Sequence, residues 1–530
     1  MRTIFTSIML LFVVCNVPTV FGADKNDAML DAAQKGNLEL MKQLKEEGAD
    51  IHIKDRGGWW TLMHLAAFNG HLEVIKWLKD QGADVNVKTF GQRNNIYRES
   101  TLMHIAAFIG HVDMMQWLVE QGLDVKTENY NSYAPIHYAA QNGHAAAIQL
   151  LAEQGVDINA KGRGWPSHTP MQIAAENGKV EVMQWLKDNG VDINEIGSFG
   201  TPMHYAAMGG RLEAMKWLKE QGADVNVRDN KGGTPMHSAR NVKIIQWLKD
   251  QGADVNARNN RGDTPFYRFS DQAAEMQLLK ELGADINVKD NIGTTLMHYA
   301  ANGGRVEAMQ WLKDQGLDVN VKDNNGVTPM HAAVDRYDSK ARQWLKEQGL
   351  DVNAKDNNGN TPMHEAAVRY RVEAMQWFKD QGVDINVRNN NGETPMHTAA
   401  KEGGLIVLEW LIEQGVDINI KDNYGNTPMH TAASKSWADN KVMKWFKEQG
   451  ADINAKNNKG WTLMHSAAYF VNVPALNWLK NEGLDINVKT DDGKTLFDLV
   501  NESEKSYIVK NRAIDWLEEN GAAERQIDIF

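Results

Sequence analysis

One threonine recurs every 33 residues through the middle of the chain, at Thr295, Thr328, Thr361, Thr394 and Thr427. A fixed period of this length is typical of tandem-repeat proteins, in which each copy buries its apolar face against the next. The same register extends in both directions and gives fifteen copies, the first being degenerate at Asp27. The other copies carry Thr61, Thr101, Ala134, Thr169, Thr201, Thr234, Thr264, Thr462 and Thr495 at this position.

Each copy has the residue types of two helices and a loop. In "GNTPMHEAAV", Thr361 is suited to cap a helix whose first residue, Pro362, has no N–H to leave unpaired, and the alanines fall on one face. The segment "VEAMQWFKDQG" is a second amphipathic helix that ends at Gly382, a residue able to adopt the left-handed conformation. The stretch "VDINVRNNNGE" then predicts an extended, hairpin-like loop with an Asn-Asn-Gly turn.

These motifs resemble those of ankyrin repeats, with "GNTPMHEAA" and "GADVN" or "GVDIN" as the matching words, from about Asp27 to about Ala522. The resemblance implies an all-α solenoid of stacked helix pairs that binds other proteins. It also implies that the motif histidine forms local hydrogen bonds which tie the turn to the helix. This role transfers by position to His64, His104, His137, His204, His237, His298, His331, His364, His397, His430 and His465, whereas Gln172, Tyr267 and Asp498 replace the histidine in three copies.

Composition and spacing argue against catalysis. His364-Glu365 looks like the start of a helical zinc-hydrolase motif, but the second ligand position is occupied by Val368. Histidines placed one per repeat cannot converge on a single ion, and the only cysteine is Cys15. We therefore expect no enzyme activity, no metal and no cofactor.

The first 22 residues have the pattern of an export signal, with Arg2, an apolar run from Ile4 to Val14, and small residues before Ala23. Cleavage would follow Gly22, with a lipid anchor on Cys15 as the alternative. Bacterial envelope and eukaryotic secretion both stay open. No long apolar stretch follows, so we expect no membrane insertion after signal removal. The net charge is −12 with interspersed signs, so we do not expect nucleic acid as a partner. We expect a protein partner and a monomeric chain.

The repeats divide into residues 23–233 with long aromatic loops, residues 234–294 with shortened copies, and residues 295–523, followed by a tail at 524–530. The shortening predicts a change of curvature near residues 234–290. Twelve copies place tryptophan at one point of the second helix, which favours packing between repeats over an aromatic strip for a ligand. These are Trp77, Trp117, Trp185, Trp217, Trp247, Trp311, Trp344, Trp377, Trp410, Trp445, Trp478 and Trp516.

The N-terminal loops and first helices differ from the later ones by their aromatic content. Exposed aromatic side chains cost solubility, so they indicate contact with another molecule. Alternatively, these rings fold back onto their own edge. The rival function is a structural spacer or envelope-scaffold element with no specialised binding surface. An Arg261-Gly262-Asp263 sequence lies in an ordinary loop, and we interpret it as chance. The candidate partner-binding residues are Trp60, Phe68, Phe90, Tyr97, Phe108, Ile109, Tyr130, Tyr133 and Trp165.

Overall fold

The computed structural model describes residues 25–90, 98–162, 167–269, 273–335, 339–435 and 440–522. The chain forms two compact units, Met1–Asn260 and Arg261–Phe530. Within the described ranges the fold is all-helical, and β pairing is limited to three isolated bridges at the loops. This confirms the all-α repeat fold. The predicted leader at residues 1–22 and the tail at 524–530 lie outside the described residues, and the domain boundaries and the change of curvature stay predictions.

Each unit is a stack of helix pairs. In the first unit the first helices are Lys25–Lys35, Leu62–Phe68, Leu102–Ile109, Pro135–Asn142, Pro170–Asn177, Pro202–Gly209 and Pro235–Ser238. Their second helices are Leu38–Glu46, Leu72–Asp80, Val112–Glu120, Ala145–Glu153, Val180–Asp188, Leu212–Glu220 and Val242–Asp250.

The second unit repeats the arrangement with two irregular first helices. These first elements are the 3₁₀ helix Pro265–Phe269, then Leu296–Asn302, Pro329–Ala332 with a 3₁₀ turn Ala333–Asp335, Pro362–Val368, Pro395–Glu402, Pro428–Ala433, Leu463–Tyr469 and Leu496–Glu502. The second helices are Ala273–Glu281, Val306–Asp314, Lys340–Glu347, Val372–Asp380, Leu405–Glu413, Lys441–Glu448, Val473–Asn481 and Tyr507–Glu519.

The motif histidine joins each repeat to the one after it. The Thr361 N–H donates to Nδ1 of His364 (3.2 Å), so the ring proton must be on Nε2, which donates to the Glu393 carbonyl of the next repeat (3.0 Å). The local bond recurs at all eleven motif histidines. The bond to the next repeat is present at His104, His137, His204, His298, His331, His364, His397 and His430.

The loops also stack from repeat to repeat. The Asp323 carboxylate accepts the N–H groups of Asn325 and Val327 (2.8 and 2.9 Å) and so closes its own loop. Asn357 then donates from its backbone to the Asn325 carbonyl (2.8 Å) and from its side chain to the Asn324 carbonyl (3.0 Å). The asparagine-rich loops of the second unit are therefore an ordered part of the repeat frame.

The second-helix tryptophans lie between neighbouring repeats. The Trp344 indole N–H donates to Gln310 of the preceding repeat (3.2 Å), and Trp217 makes the same bond to Gln184 (3.0 Å). Lys79 lies over the ring of Trp117, with its Nζ atom 5.8 Å from the ring centre. These contacts support packing as the role of the repeated tryptophan.

The tenth copy departs from the regular frame although its length is ordinary. Its first helix ends after Ala332, and the fully buried Arg342 takes the second-helix position that Met375 has in the next copy. The Arg342 guanidinium donates to the Ala333 carbonyl (3.0 Å), which places a cation against the end of the short helix. A buried guanidinium needs such acceptors to compensate for lost hydration.

We expect changes at the motif to lower stability by an amount set by the bonds that are lost. Thr361→Ala should cost about 1 kcal/mol through loss of the helix cap. His364→Ala should cost on the order of 1–3 kcal/mol, because it leaves a buried N–H and a carbonyl without partners. His364→Gln should retain part of the stability, since Gln172 accepts the Thr169 N–H (3.0 Å) in the fifth copy. Urea unfolding followed by circular dichroism measures all three, and equal losses for the Ala and Gln variants would contradict this account.

Acid should destabilise the fold through the same rings. Burial lowers the pKa of His64, His104 and His465 from 6.5 to about 4. Between these values the unfolded chain binds protons that the folded chain does not, so the free energy of unfolding should fall as pH decreases from about 6.5 to about 4 and be insensitive to these rings at higher pH. Unfolding by urea at pH 7.5, 6, 5 and 4.5 tests this. A triple His→Gln variant at these positions should show a shallower decline, and an unchanged slope would count against the mechanism.

Candidate partner-binding surface

The aromatic side chains singled out in the N-terminal repeats form a row across successive repeats. The Trp60 ring meets Phe68 edge-on at 5.3 Å between centroids, and Phe68 stacks with Phe108 of the next repeat at 6.3 Å. Phe108 in turn contacts Tyr138 at 6.2 Å, and Tyr138 meets Tyr133 at 6.4 Å. The structure therefore brings together residues that lie more than seventy positions apart in sequence.

Tyr138 is buried, whereas the other members of this row are half-buried by one another. Trp60, Phe68, Phe108, Ile109 and Tyr133 keep intermediate exposure at the ends of the first helices and at the loops before them. Rings in such a row gain packing energy and still present an apolar strip to solvent. The alternative raised by the sequence, that these rings fold onto their own edge, therefore accounts for the buried half of each ring and not for the exposed half.

Two candidate residues are far more exposed, and each has a cation over its ring. Phe90 is 55% exposed with Lys54 Nζ 4.1 Å from the ring centre, and Tyr130 is 41% exposed with the Arg98 guanidinium at 4.2 Å. The Phe90 N–H donates to the Trp59 carbonyl (3.1 Å), which holds the loop against its neighbour. Tyr97 and Trp165 lie outside the described residues.

Backbone contacts fix the loops that carry these rings. Asn129 Oδ1 accepts the N–H groups of Asn131 and Tyr133 (3.0 and 3.1 Å), which closes the loop around Tyr130. The Tyr133 carbonyl accepts a hydrogen bond from Nε2 of His104 (3.0 Å), and the Tyr133 hydroxyl lies 3.2 Å from His168 Nδ1. The surface is thus preorganised by the same histidine contacts that hold the repeats together.

A polar cleft of about 530 Å³ lies at the loops of the second unit, lined by Asn358, Glu365, Glu393 and Lys401 among others. His364 also lines it, but both ring nitrogens are engaged in hydrogen bonds, and burial lowers the pKa of this ring below its ordinary value. A histidine held in this way is not available as a general base. Glu365 is paired with Arg369 (2.5 Å), so the His-Glu sequence serves the architecture.

Two absences bear on the site, both limited to the parts of the chain that the structure describes. No group of three or more His, Cys, Asp or Glu side chains is placed to hold a metal ion. No helix in these parts is long and apolar enough to cross a membrane.

Sequence reasoning missed a second group of exposed rings, in the C-terminal unit. Tyr370, Tyr424 and Phe470 are 44%, 55% and 42% exposed. Tyr424 was visible as a deviation from the "KDNNGNTP" loops, and Phe470 as an aromatic residue where earlier copies have Lys435 or Glu402.

The repeated frame and its variable surface define a helical tandem-repeat scaffold for protein–protein interaction. The family described as "Ankyrin repeats (3 copies)" matches residues 8–89, 89–162, 171–259, 270–356, 337–422 and 404–490. The chain belongs to this ankyrin-repeat family, whose members are generally non-catalytic binding scaffolds.

Individual relatives match over short stretches. The Notch-regulated ankyrin repeat-containing protein of Homo sapiens is 44% identical over 48 residues, which are 9% of this chain and 41% of that protein. Its Danio rerio counterpart, Notch-regulated ankyrin repeat-containing protein A, is 44% identical over 48 residues and covered to 42%. The chain thus spans about two fifths of the length of these relatives. The crystal structure of the human ASB11 ankyrin repeat domain is 24% identical, with 42% of this chain and 95% of that chain covered and a TM-score of 0.35.

Proposed function

We propose that the chain is an exported, non-catalytic scaffold that binds a protein partner through its N-terminal loops and the adjoining ends of its first helices, on the concave side in ankyrin proteins. The observation that carries this proposal is the row of half-buried rings Trp60, Phe68 and Phe108, which packs on the buried Tyr138. A contiguous apolar strip on a rigid frame is a favourable protein-binding surface, because aromatic anchors contribute much of the binding free energy at interfaces.

The exposed rings favour a partner over self-packing. Phe90 and Tyr130 remain about half exposed although each has a cation over it, so neither ring is needed to fill the core. Tyr and Phe side chains supply large contact area for a small loss of conformational entropy. The rival function, a spacer without a specialised surface, is favoured by the regular loop stack of the second unit, in which the same asparagine bonds recur at Asn357 and Asn390.

Export rests on the charged, apolar and small-residue order of the first 22 positions. We expect the native protein to begin at Ala23. Amino-terminal sequencing of protein purified from its natural source tests this, with mass spectrometry of the intact chain as a check for a lipid on Cys15. A chain that still begins at Met1 would rule out the exported form and leave the binding proposal in place.

The binding proposal is tested by capture with two sets of variants. The first double variant, Phe90→Ala with Tyr130→Ala, removes the exposed rings. The second, Phe68→Gln with Phe108→Gln, replaces two half-buried rings by glutamine, the residue that the fourth copy has at the same position, Gln141. A bait made of the full mature chain, incubated with source-cell proteins and read by quantitative mass spectrometry, should retain a specific protein that each double variant loses by tenfold or more.

The matched controls come from the polar loops. Asn358→Ala and Asn391→Ala are suitable, because their carbonyls, rather than their side chains, bond to the next loop (3.0 Å each). Asn357 and Asn390 are unsuitable, since their side-chain amides bridge repeats. Equal loss of capture in the aromatic and control variants would support the spacer. A fall in melting temperature of several degrees for Phe90→Ala with Tyr130→Ala would show that these rings serve packing.

A further inference from the structure

A pair of rings occurs twice in the chain in the same register. Trp60 and Phe68 flank the start and end of a first helix with centroids 5.3 Å apart, and Trp461 and Tyr469 do the same, also at 5.3 Å. Among the fifteen copies, only the second and the fourteenth carry aromatic residues at both positions. The second pair lies in the C-terminal unit, outside the surface already proposed.

The Trp461 pair belongs to a larger exposed surface. The Tyr469 ring meets Phe470 edge-on at 5.2 Å, and the Phe470 side chain is 42% exposed. On the loop side, the Asn458 N–H donates to the Tyr424 carbonyl (2.9 Å), which sets the exposed Tyr424 beside the loop that ends at Trp461. We call Tyr424, Lys435, Lys459, Trp461, Tyr469 and Phe470 the C-terminal aromatic surface.

Backbone strain coincides with this surface. Val471 follows Phe470 directly and has φ 57°, at the turn position that glycine occupies in most copies, as at Gly403 (φ 81°). A β-branched residue in the left-handed region is unfavourable and is retained only when its surroundings enforce it. The buried Asn472 does so here by donating to the carbonyls of Ala433 and Lys435 (2.9 and 2.7 Å), which holds the end of the Phe470 helix against the preceding repeat.

The charge of this surface favours an acidic partner. The loop at residues 455–461 contains Lys456 and Lys459 and no acidic residue, whereas each of the five preceding loops in this unit, from residue 288 to 426, balances one cation with one anion. The following loop adjoins it, since the Asp491 N–H donates to the Lys459 carbonyl (3.2 Å), and there Lys489 and Lys494 balance Asp491 and Asp492. Lys435 occupies in the thirteenth copy the position that Phe470 has in the fourteenth, so a further cation lies on the helix side. Cations beside apolar rings favour a partner that presents carboxylates next to apolar side chains.

We propose that the C-terminal aromatic surface is a second docking site, which binds an acidic protein segment carrying apolar side chains. Phe470, Trp461 and Tyr424 contact the apolar side chains, and Lys459 and Lys435 pair with the carboxylates. This proposal extends the scaffold function to the second unit, but it does not depend on the N-terminal surface being occupied.

The test uses the full mature chain and a fluorescein-labelled 12-residue peptide of alternating glutamate and leucine or phenylalanine, read by fluorescence anisotropy. The surface is removed by Trp461→Asn with Phe470→Lys, which borrow the residues at Asn426 and Lys435 and so keep the frame. We expect this variant to bind at least tenfold more weakly. Lys459→Glu should weaken binding several-fold at low salt, whereas Lys444→Glu on the exposed face of the second helix should not.

Three further arms make the result decisive. A peptide with lysine in place of glutamate, vesicles of anionic phospholipid, and single-stranded DNA replace the acidic peptide as probes. Stronger binding of any of these than of the acidic peptide would overturn the proposal, as would acidic-peptide binding that survives Trp461→Asn with Phe470→Lys. The variant Phe68→Gln with Phe108→Gln should still bind the acidic peptide, and adding Trp461→Asn with Phe470→Lys should remove that binding. If Phe68→Gln with Phe108→Gln abolishes peptide binding and Trp461→Asn with Phe470→Lys does not, the result supports the N-terminal function and refutes the second site.

Discussion

The side-chain contact that recurs most regularly between neighbouring repeats is a neutral imidazole held between the two. Nδ1 of His364 accepts the Thr361 N–H at the start of its own helix, and Nε2 donates to the Glu393 carbonyl of the next copy. One ring thus satisfies a helix start and a loop carbonyl that would otherwise be buried without partners. Because the ring needs one lone pair and one proton, the arrangement tolerates neither a charge nor the other tautomer, and burial enforces this by lowering the pKa.

The second and fourteenth copies, which carry aromatic residues before and at the end of the first helix, have a looser connection of this kind. Within the described ranges, Nε2 of His64 and of His465 is buried and forms no hydrogen bond of normal geometry, and its polar neighbour in the following loop is the backbone of Val87 or Val488. In the second copy, the insertion after Asn86 lengthens the loop that follows His64. In the loop that follows His465, Thr490 stands at the position that Asp323 has in its own loop. Departures in loop sequence and departures in surface composition therefore coincide in these two copies.

Much of this was predictable, because a 33-residue period imposes the same local solution many times. The helix starts at Thr361 and Pro362, the left-handed Gly382 and the small residues of the core follow from propensity and spacing. The bond from His364 to the next repeat was not predictable from local rules. Its acceptor is a backbone carbonyl, which every residue type has, so the sequence does not mark it.

The other features that sequence reasoning missed also depend on contacts between residues far apart in sequence. Asparagines of the polar loops bridge neighbouring loops, as Asn357 does. In a copy of ordinary length, Arg342 donates to the Ala333 carbonyl just after a first helix that ends at Ala332. For the candidate surface, residue types identified Phe68, Phe108 and Phe90, but only coordinates show that the first two stack and that Lys54 covers the third. Sequence reasoning missed Trp461 and Phe470, because the loops near them are polar and do not stand out as the aromatic N-terminal loops do.

The most direct measurement is the protonation state of the rings themselves. Selective ¹⁵N labelling of histidine and two-dimensional NMR separate the Nε2–H tautomer, the Nδ1–H tautomer and the charged ring. We predict that the motif rings are neutral Nε2–H tautomers at pH 7.5, and that those of His64, His104 and His465 stay neutral down to about pH 5.5, because burial lowers their pKa to about 4. Protonation of these three rings above pH 5.5, or motif rings that carry their proton on Nδ1, would contradict the account of how the repeats are joined.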